Sequence, residues 1–152
     1  MKNFMEIAIN EAKKAEKKGE VPIGACVVKD GKVISKGYNK REKTKNAVNH
    51  AEIIAIKKAC RKLHDWRLLD CSLYVTLIPC PMCAGAIVNA RIKDVHYGAD
   101  EKSEDNLCEK IFESTRLNHN TTLIKEENYS EICAQLLSNF FKSKRKNKKI
   151  TT

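Results

Sequence analysis

Cys80 and Cys83 stand three apart in Leu77-Ile78-Pro79-Cys80-Pro81-Met82-Cys83, and His50-Ala51-Glu52 lies upstream. At the start of a helix that spacing turns two sulfurs toward one point, and a distant histidine can supply a third donor. Three protein ligands with one open position is the pattern of catalytic zinc, whereas structural zinc closes with four. Thiolates with an imidazole favour zinc over magnesium or calcium. Pro81 falls in a first helical turn, where a missing N–H is tolerated. The positive end of the same helix favours negative charge, so Cys80 and Cys83 are expected to ionise readily. Glu52 turns a metal site into a reactive one. Zinc lowers the pKa of bound water from about 15.7 to roughly 7–9, and a carboxylate beside that water can take its proton and pass it to a leaving amine. Residues two apart on a regular helix point about 200° away from each other. His50 must therefore stand at the irregular start of its helix, with Glu52 reaching the water and not the metal.

The elements that must position these groups follow from periodicity. Residues 4–18 carry Phe4, Ile7, Ala8, Ala12 and Ala15 at helical spacing, and Gly19 ends the helix. Residues 21–29 and 32–38 read as strands joined by Asp30-Gly31, a tight-hairpin signal. Residues 39–49 are polar, cationic and without apolar period, a loop that delivers His50. Residues 51–63 suit a helix on a sheet, with Ile53, Ile54, Ile56, Ala59, Cys60 and Leu63 apolar. A strand over 73–77 leads through the Pro-Cys turn into a helix to about residue 90. A strand at 94–98, a helical patch at 107–112, a strand near 121–124 and a helix from 130 into the tail complete the order. Ile132, Leu136, Leu137, Phe140 and Phe141 are expected to anchor that last helix. Both halves of the cysteine-histidine motif follow a strand or loop and open a helix, where α/β sheets commonly place sites.

At 152 residues the chain is one domain's worth and long enough to bury a core. It holds no apolar run of about 18 residues, and the start Met1-Lys2-Asn3-Phe4-Met5-Glu6 meets an acid too soon for a signal peptide. A soluble, cytoplasmic protein without a membrane is expected. The cysteine count is seven, odd for a disulfide scaffold, and only one pair has ligand spacing. Cys26, Cys60, Cys71, Cys108 and Cys133 read as reduced structural thiols. Net charge is +10, from 29 basic and 19 acidic residues. Residues 142–152 hold six of the bases (Lys142, Lys144, Arg145, Lys146, Lys148, Lys149) and no acid, and without them the balance is 23 minus 19, or +4. Such a tail is either a contact for an anionic polymer or a solvated, disordered end.

The pairing of H-x-E with P-C-x-x-C is the signature of zinc nucleobase deaminases. With it stand Val21-Pro22-Ile23-Gly24-Ala25, Gly37-Tyr38-Asn39, Asp65-Trp66-Arg67-Leu68, Leu73-Tyr74-Val75-Thr76-Leu77, Cys83-Ala84-Gly85-Ala86-Ile87, Arg91-Ile92, Tyr97-Gly98-Ala99, Asn118-His119 and Leu136-Leu137-Ser138-Asn139-Phe140-Phe141. In this order, over roughly residues 1–146, the chain resembles the bacterial tRNA-specific adenosine deaminases of the cytidine-deaminase-like superfamily. The resemblance implies an α/β fold of three layers, α-β-α, around a central mixed sheet of about five strands. It implies a zinc-dependent deaminase domain over residues 1–141, followed by the basic tail 142–152. One Zn2+ per chain would sit on His50, Cys80 and Cys83, with Glu52 the proton shuttle. Asn39 would hold the flipped base, and the Ala51 backbone amide would lie beside the same pocket. The substrate implied is the wobble adenosine of a tRNA anticodon stem-loop, converted to inosine by a homodimer whose partner lies near the helix after the Pro-Cys turn.

The chain departs from the family pattern twice. Ile78 stands where many members carry glutamate, at a position that is not a metal ligand. After Ala99 a small-residue loop is replaced by an acidic segment, with six acids and two lysines from Asp100 to Glu113, a local charge of −4. Acids beside phosphates repel by about 1 kcal/mol per close exposed pair. That segment favours a second reading, a deaminase of a free base, nucleoside or nucleotide of guanine or cytosine type. A third reading, a non-catalytic zinc-stabilised RNA-binding protein, has no use for Glu52. His64, His96 and His119 lack partners at ligand spacing and read as structural, and Trp66 reads as a packing residue. Lys40, Arg41, Lys43 and Lys45 precede the active histidine where a substrate backbone would pass, and are expected to contact phosphates.

Overall fold

In the computed structural model, which describes residues 3–103, 105–114 and 116–150, Asp30 and Gly31 take φ of 51° and 72°. Two successive positive φ values are what a two-residue hairpin turn requires. They join β1 (Gly24–Lys29) to β2 (Lys32–Tyr38), with Gly24 opposite Tyr38 and Ala25 opposite Gly37. On its other side β1 pairs antiparallel with β3 (Cys71–Leu77), Ala25 opposite Val75. Parallel pairing then adds β4 (Asp94–Ala99) and β5 (Thr122–Lys125). The order is β2-β1-β3-β4-β5, the mixed five-stranded sheet expected from the sequence.

This pairing decides where the site lies. β2 and β3 both run antiparallel to β1, so they run the same way, and their C-terminal ends share one edge of the sheet with that of β4. The segments that leave those ends, residues 39–50, 78–83 and 100–106, therefore meet along that edge.

Helices cover both faces. On one lie α3 (Ala51–Leu63), α4 (Pro81–Asn89) and α5 (Leu107–Glu113), burying Ala55, Ile56, Ile87, Val88 and Phe112 against Val75, Val95 and Tyr97. On the other lie α1 (Phe4–Lys17) and α6 (Glu127–Ile150), where Met5, Ile9 and Cys133 pack together with Ala99. Three glycines let these layers close. An added Cβ would meet the α1 backbone at Gly24, the α3 backbone at Gly37, and Cys133 at Gly98.

The structure corrects several expectations. The 39–49 loop contains a short helix, α2 (Arg41–Thr44), which buries no residue and so left no apolar period to read. The α1 core face is Met5, Ala8, Ile9, Ala12 and Ala15, with Phe4 and Ile7 only half-buried. α6 starts at Glu127 and is seated by Cys133, while Ile132 and Phe141, expected as anchors, are 48 % exposed. Trp66 is 53 % exposed, its ring covered by the guanidinium groups of Arg67 at 4.3 Å and Arg91 at 5.5 Å. In place of a disordered end, α6 continues helically through residue 142 to Ile150; Thr151 and Thr152 lie outside the described residues. No helix among the described residues is long and apolar enough to cross a membrane.

Candidate metal centre and active site

His50 is the N-cap of α3, with extended φ −73° and ψ 157°, and its carbonyl accepts the first helical bond from Ile54 N–H. Cys80 is the N-cap of α4, also extended, with Pro81 at the first helical position and the Cys80 carbonyl accepting from Ala84 N–H. The two helix starts face each other. His50 Nδ1 lies 3.7 Å from Cys80 Sγ and 3.6 Å from Cys83 Sγ, and the three donors lie within 4.8 Å of one another. A tetrahedral ion with bonds of about 2.3 Å to sulfur and about 2.0 Å to nitrogen needs N···S edges of about 3.6 Å. The observed separations match that requirement, and a soft N,S,S set is one that zinc accepts. These residues can hold a metal.

The electrostatics of the cysteine pair point the same way. The Cys83 thiol donates to Cys80, and backbone N–H groups of Cys83 and Met82 with His50 add to it, bringing Cys80 down to about 5. Cys83 is pushed up because it keeps the proton the two share, and burial adds to the shift. The expectation that both would ionise readily thus holds for one at a time; a cation between them is what would release the second proton.

Glu52, one residue inside α3, is 3 % exposed, and its Oε1 has no hydrogen-bond partner. Burial pushes its carboxyl up to about 7; the Cys80 charge adds to this, while its own N–H and the Cys83 thiol pull it down. A buried, unpartnered carboxylate oxygen is costly unless something polar meets it, and here it stands beside the donor cluster. At such a pKa it can both take and give a proton near neutrality.

A cavity of about 110 Å³ opens beside the donors, lined by Val21, Ile23, Asn39, Arg41, His50 and Ala51. Asn39, the residue after β2, is buried; its Oδ1 accepts from Arg41 N–H at 3.2 Å and its Nδ2 donates to the Val21 carbonyl at 3.5 Å, which leaves one Nδ2 hydrogen to offer a ligand. All six residues singled out in the sequence, Asn39, His50, Ala51, Glu52, Cys80 and Cys83, thus come to one end of the sheet. The other histidines are elsewhere: His64 caps α3 in the left-handed region, His96 stacks on Tyr74 between Asp94 and Glu126, and His119 Nε2 meets the Ile92 carbonyl.

The chain matches the MafB19-like deaminase family over residues 1–145. It is 45 % identical to the tRNA-specific adenosine deaminase of Bacillus subtilis over 96 % of this chain and 91 % of that one. The enzyme of the same name from Aquifex aeolicus is 45 % identical over 95 % of both chains. The chain belongs to the tRNA-specific adenosine deaminase family. Among solved structures, a tRNA:A34 deaminase that edits A to I at the wobble position superposes with TM-score 0.82 at 38 % identity, covering 88 % of this chain and 98 % of that one. A guanine deaminase from Bacillus subtilis gives TM-score 0.64 at 32 % identity, over 89 % and 94 %.

Within that family the two departures have structural counterparts. Ile78 is buried in the core and donates its N–H to the Ala99 carbonyl at 2.9 Å, so the position is filled by packing. In the acidic segment, Lys125 binds Asp100 at 2.6 Å and Lys110 lies 3.6 Å from Asp105. Tyr97 donates to Asp100 as well, and its burial with that contact pushes its phenol up. No local pattern marks Glu20 as a residue of this region, because its contacts lie 22 and 23 positions away.

Proposed function

We propose that this protein hydrolyses the wobble adenosine of a tRNA anticodon loop to inosine, with zinc on His50, Cys80 and Cys83. The observation that carries the reading is the buried, unpartnered Glu52 Oε1 beside three donors at tetrahedral spacing. Zinc, when bound, supplies the Lewis acidity that makes water a nucleophile near neutral pH. Glu52 takes a proton from the attacking water as oxygen bonds to adenine C6, then delivers it to the exocyclic amine, and ammonia leaves. Asn39 presents its remaining Nδ2 hydrogen to an acceptor on the base, beside the Ala51 backbone. The target base must first leave its stack, at a cost of a few kcal/mol that is least in an already open loop.

The basic tail 142–152, set beyond a deaminase domain of 1–141, binds the RNA backbone, and Lys40, Arg41, Lys43 and Lys45 do so at the site itself. The protein acts in the cytoplasm as a homodimer. The α4 face of Met82, Gly85 and Ala86, left partly exposed beside the site, supports that pairing.

Incubation with an anticodon stem-loop and, separately, with free nucleosides and bases tests the proposal. Native protein makes inosine in RNA, and Glu52→Ala loses about 10²–10⁴ of that rate while retaining zinc. The acidic segment 100–113 favours a deaminase of a free base, nucleoside or nucleotide of guanine or cytosine type; ammonia released from these with no inosine in RNA would establish that reading instead.

A further inference from the structure

We infer that Glu20 is a positioning residue for this site: its carboxylate clamps the first turn of α2 and so sets Asn39 and the cations of residues 40–45 at the mouth of the cavity. Glu20 is 2 % exposed. Its Oε1 accepts from Glu42 N–H at 3.0 Å and its Oε2 from Lys43 N–H at 2.8 Å. No lysine or arginine is paired with it among the described residues, although Lys40, Arg41, Lys43 and Lys45 all belong to the segment it holds. The buried carboxylate is therefore met by backbone amides, while Arg41, Lys43 and Lys45 stay exposed and Lys40 lies over the Tyr38 ring at 4.8 Å.

A helix start leaves its first amides without intrahelical partners. In α2 the N-cap residue is Lys40, whose side chain cannot accept them. The Arg41 N–H goes to Asn39 Oδ1, and the next two go to Glu20. Asn39 and Glu20 together satisfy one helical turn, so the orientation of the Asn39 amide is tied to the clamp. On the far side, Lys40 N–H donates to the Asn49 carbonyl, beside His50. Glu20 itself is fixed, since its N–H donates to the Ala15 carbonyl at the end of α1, after Gly19 at φ 77°. The clamp thus runs from the end of α1 to the loop between β2 and the metal ligand, without touching a donor. Loss of the clamp should free the loop and leave the metal cluster in place.

The catalytic consequence rests on the RNA-deaminase reading above; the clamp does not. The test uses the full-length zinc-loaded protein as native, Glu20→Gln and Glu20→Asp. Glutamine keeps the size but turns an NH2 toward an N–H donor, whereas aspartate keeps the charge on a shorter stem. Amide exchange at Glu42 and Lys43, read by NMR, should accelerate about tenfold in Glu20→Gln, as for a lost bond to a charged acceptor. On the stem-loop, KM should rise about threefold or more with kcat and zinc content near native, the mark of lost binding common to ground and transition states. Glu20→Asp should recover part of both changes, and it carries the same comparison should Glu20→Gln not fold. Unchanged exchange at the two amides overturns the inference. So does faster exchange with unchanged KM, or a parallel loss of zinc, kcat and thermal stability, which would make Glu20 a structural residue only. Should native protein make no inosine, the functional reading falls and the exchange data alone decide the clamp.

Discussion

Replacing Gly37 by alanine separates the geometry of the site from the stability of the fold. A Cβ at Gly37 would lie 2.6 Å from the Ala51 carbonyl oxygen, 3.0 Å from Ala55 N and 3.1 Å from Ile54 Cβ. Ordinary contact begins near 3.4 Å, so 3.4 less 2.6 leaves a retreat of about 0.8 Å for the start of α3. Ala51 stands between His50 and Glu52, so both move with it. Catalytic constellations tolerate about 0.5 Å, and a 1 Å misplacement costs about 10²-fold; kcat on the stem-loop should fall about 10- to 100-fold. Overpacking of this kind costs about 1–3 kcal/mol, which lowers Tm by about 2–4 °C per kcal/mol in a chain of this size. Gly24→Ala is the counterpart. Its Cβ would meet Ala8 O at 2.1 Å and Ala12 N at 2.4 Å, both on α1 across the sheet. That clash is harder but distant from the chemistry, so Gly24→Ala should lose more Tm and less kcat than Gly37→Ala. Thermal melts, zinc content and kcat, measured well below either Tm, make the comparison. If the order of the kcat losses is reversed, or Gly37→Ala loses activity only in proportion to its unfolded fraction, the close approach of α3 to β2 does not set the active geometry.

In chelator-treated protein, Cys80, held down to about 5, should be alkylated at neutral pH, while Cys26 and Cys108, pushed up to about 12 by burial, and Cys133, pushed to about 11, stay unmodified. Mass spectrometry reads this, and added zinc should protect Cys80. The same three buried thiols have folded values above the ordinary 9.0, so their contribution to stability is complete below pH 9 and is lost as pH rises toward 11–12. Tm should therefore fall above pH 9, and Cys26→Ala should make that fall shallower. Ending the chain at Phe141 takes net charge from +10 to +4. If the tail neutralises about four phosphates, the slope of log affinity against log salt should become shallower by about 3, at roughly 0.7 per contact, leaving the share of Lys40, Arg41, Lys43 and Lys45; an unchanged slope would remove the tail from the RNA contact.

Much of the site was legible because its chemistry is local. The spacing of Cys80 and Cys83, the prolines around them and the Asp30-Gly31 turn each act within a few residues, and each appears in the structure as expected. The convergence of His50 with the cysteines required the sheet, in which β2 and β3 run the same way only because β1 lies antiparallel between them. What stayed hidden was long-range or one-sided. α2 has no apolar face to announce it, and the Glu20 carboxylate that holds it is a single acid after a helix. Apolar residues of α6 read as core by type, but a helix on one face of a sheet buries only a stripe; Cys133 takes that place because Gly98 leaves room for it. The coupling of the two cysteine protons likewise depends on a distance that spacing alone does not give.

The unbroken course of α6 past residue 141 gives the positive charge a direction. At 100° per residue, Lys142, Arg145 and Lys146 fall within about a quarter to a third of the circumference, while Lys144 turns back so that its ammonium lies 5.5 Å above the Phe140 ring. A cationic ridge on a stiff rod meets a polyanion along a line, with much of the ordering already done in the unbound molecule. A floppy end of identical composition would gather the same ions with neither heading nor reach.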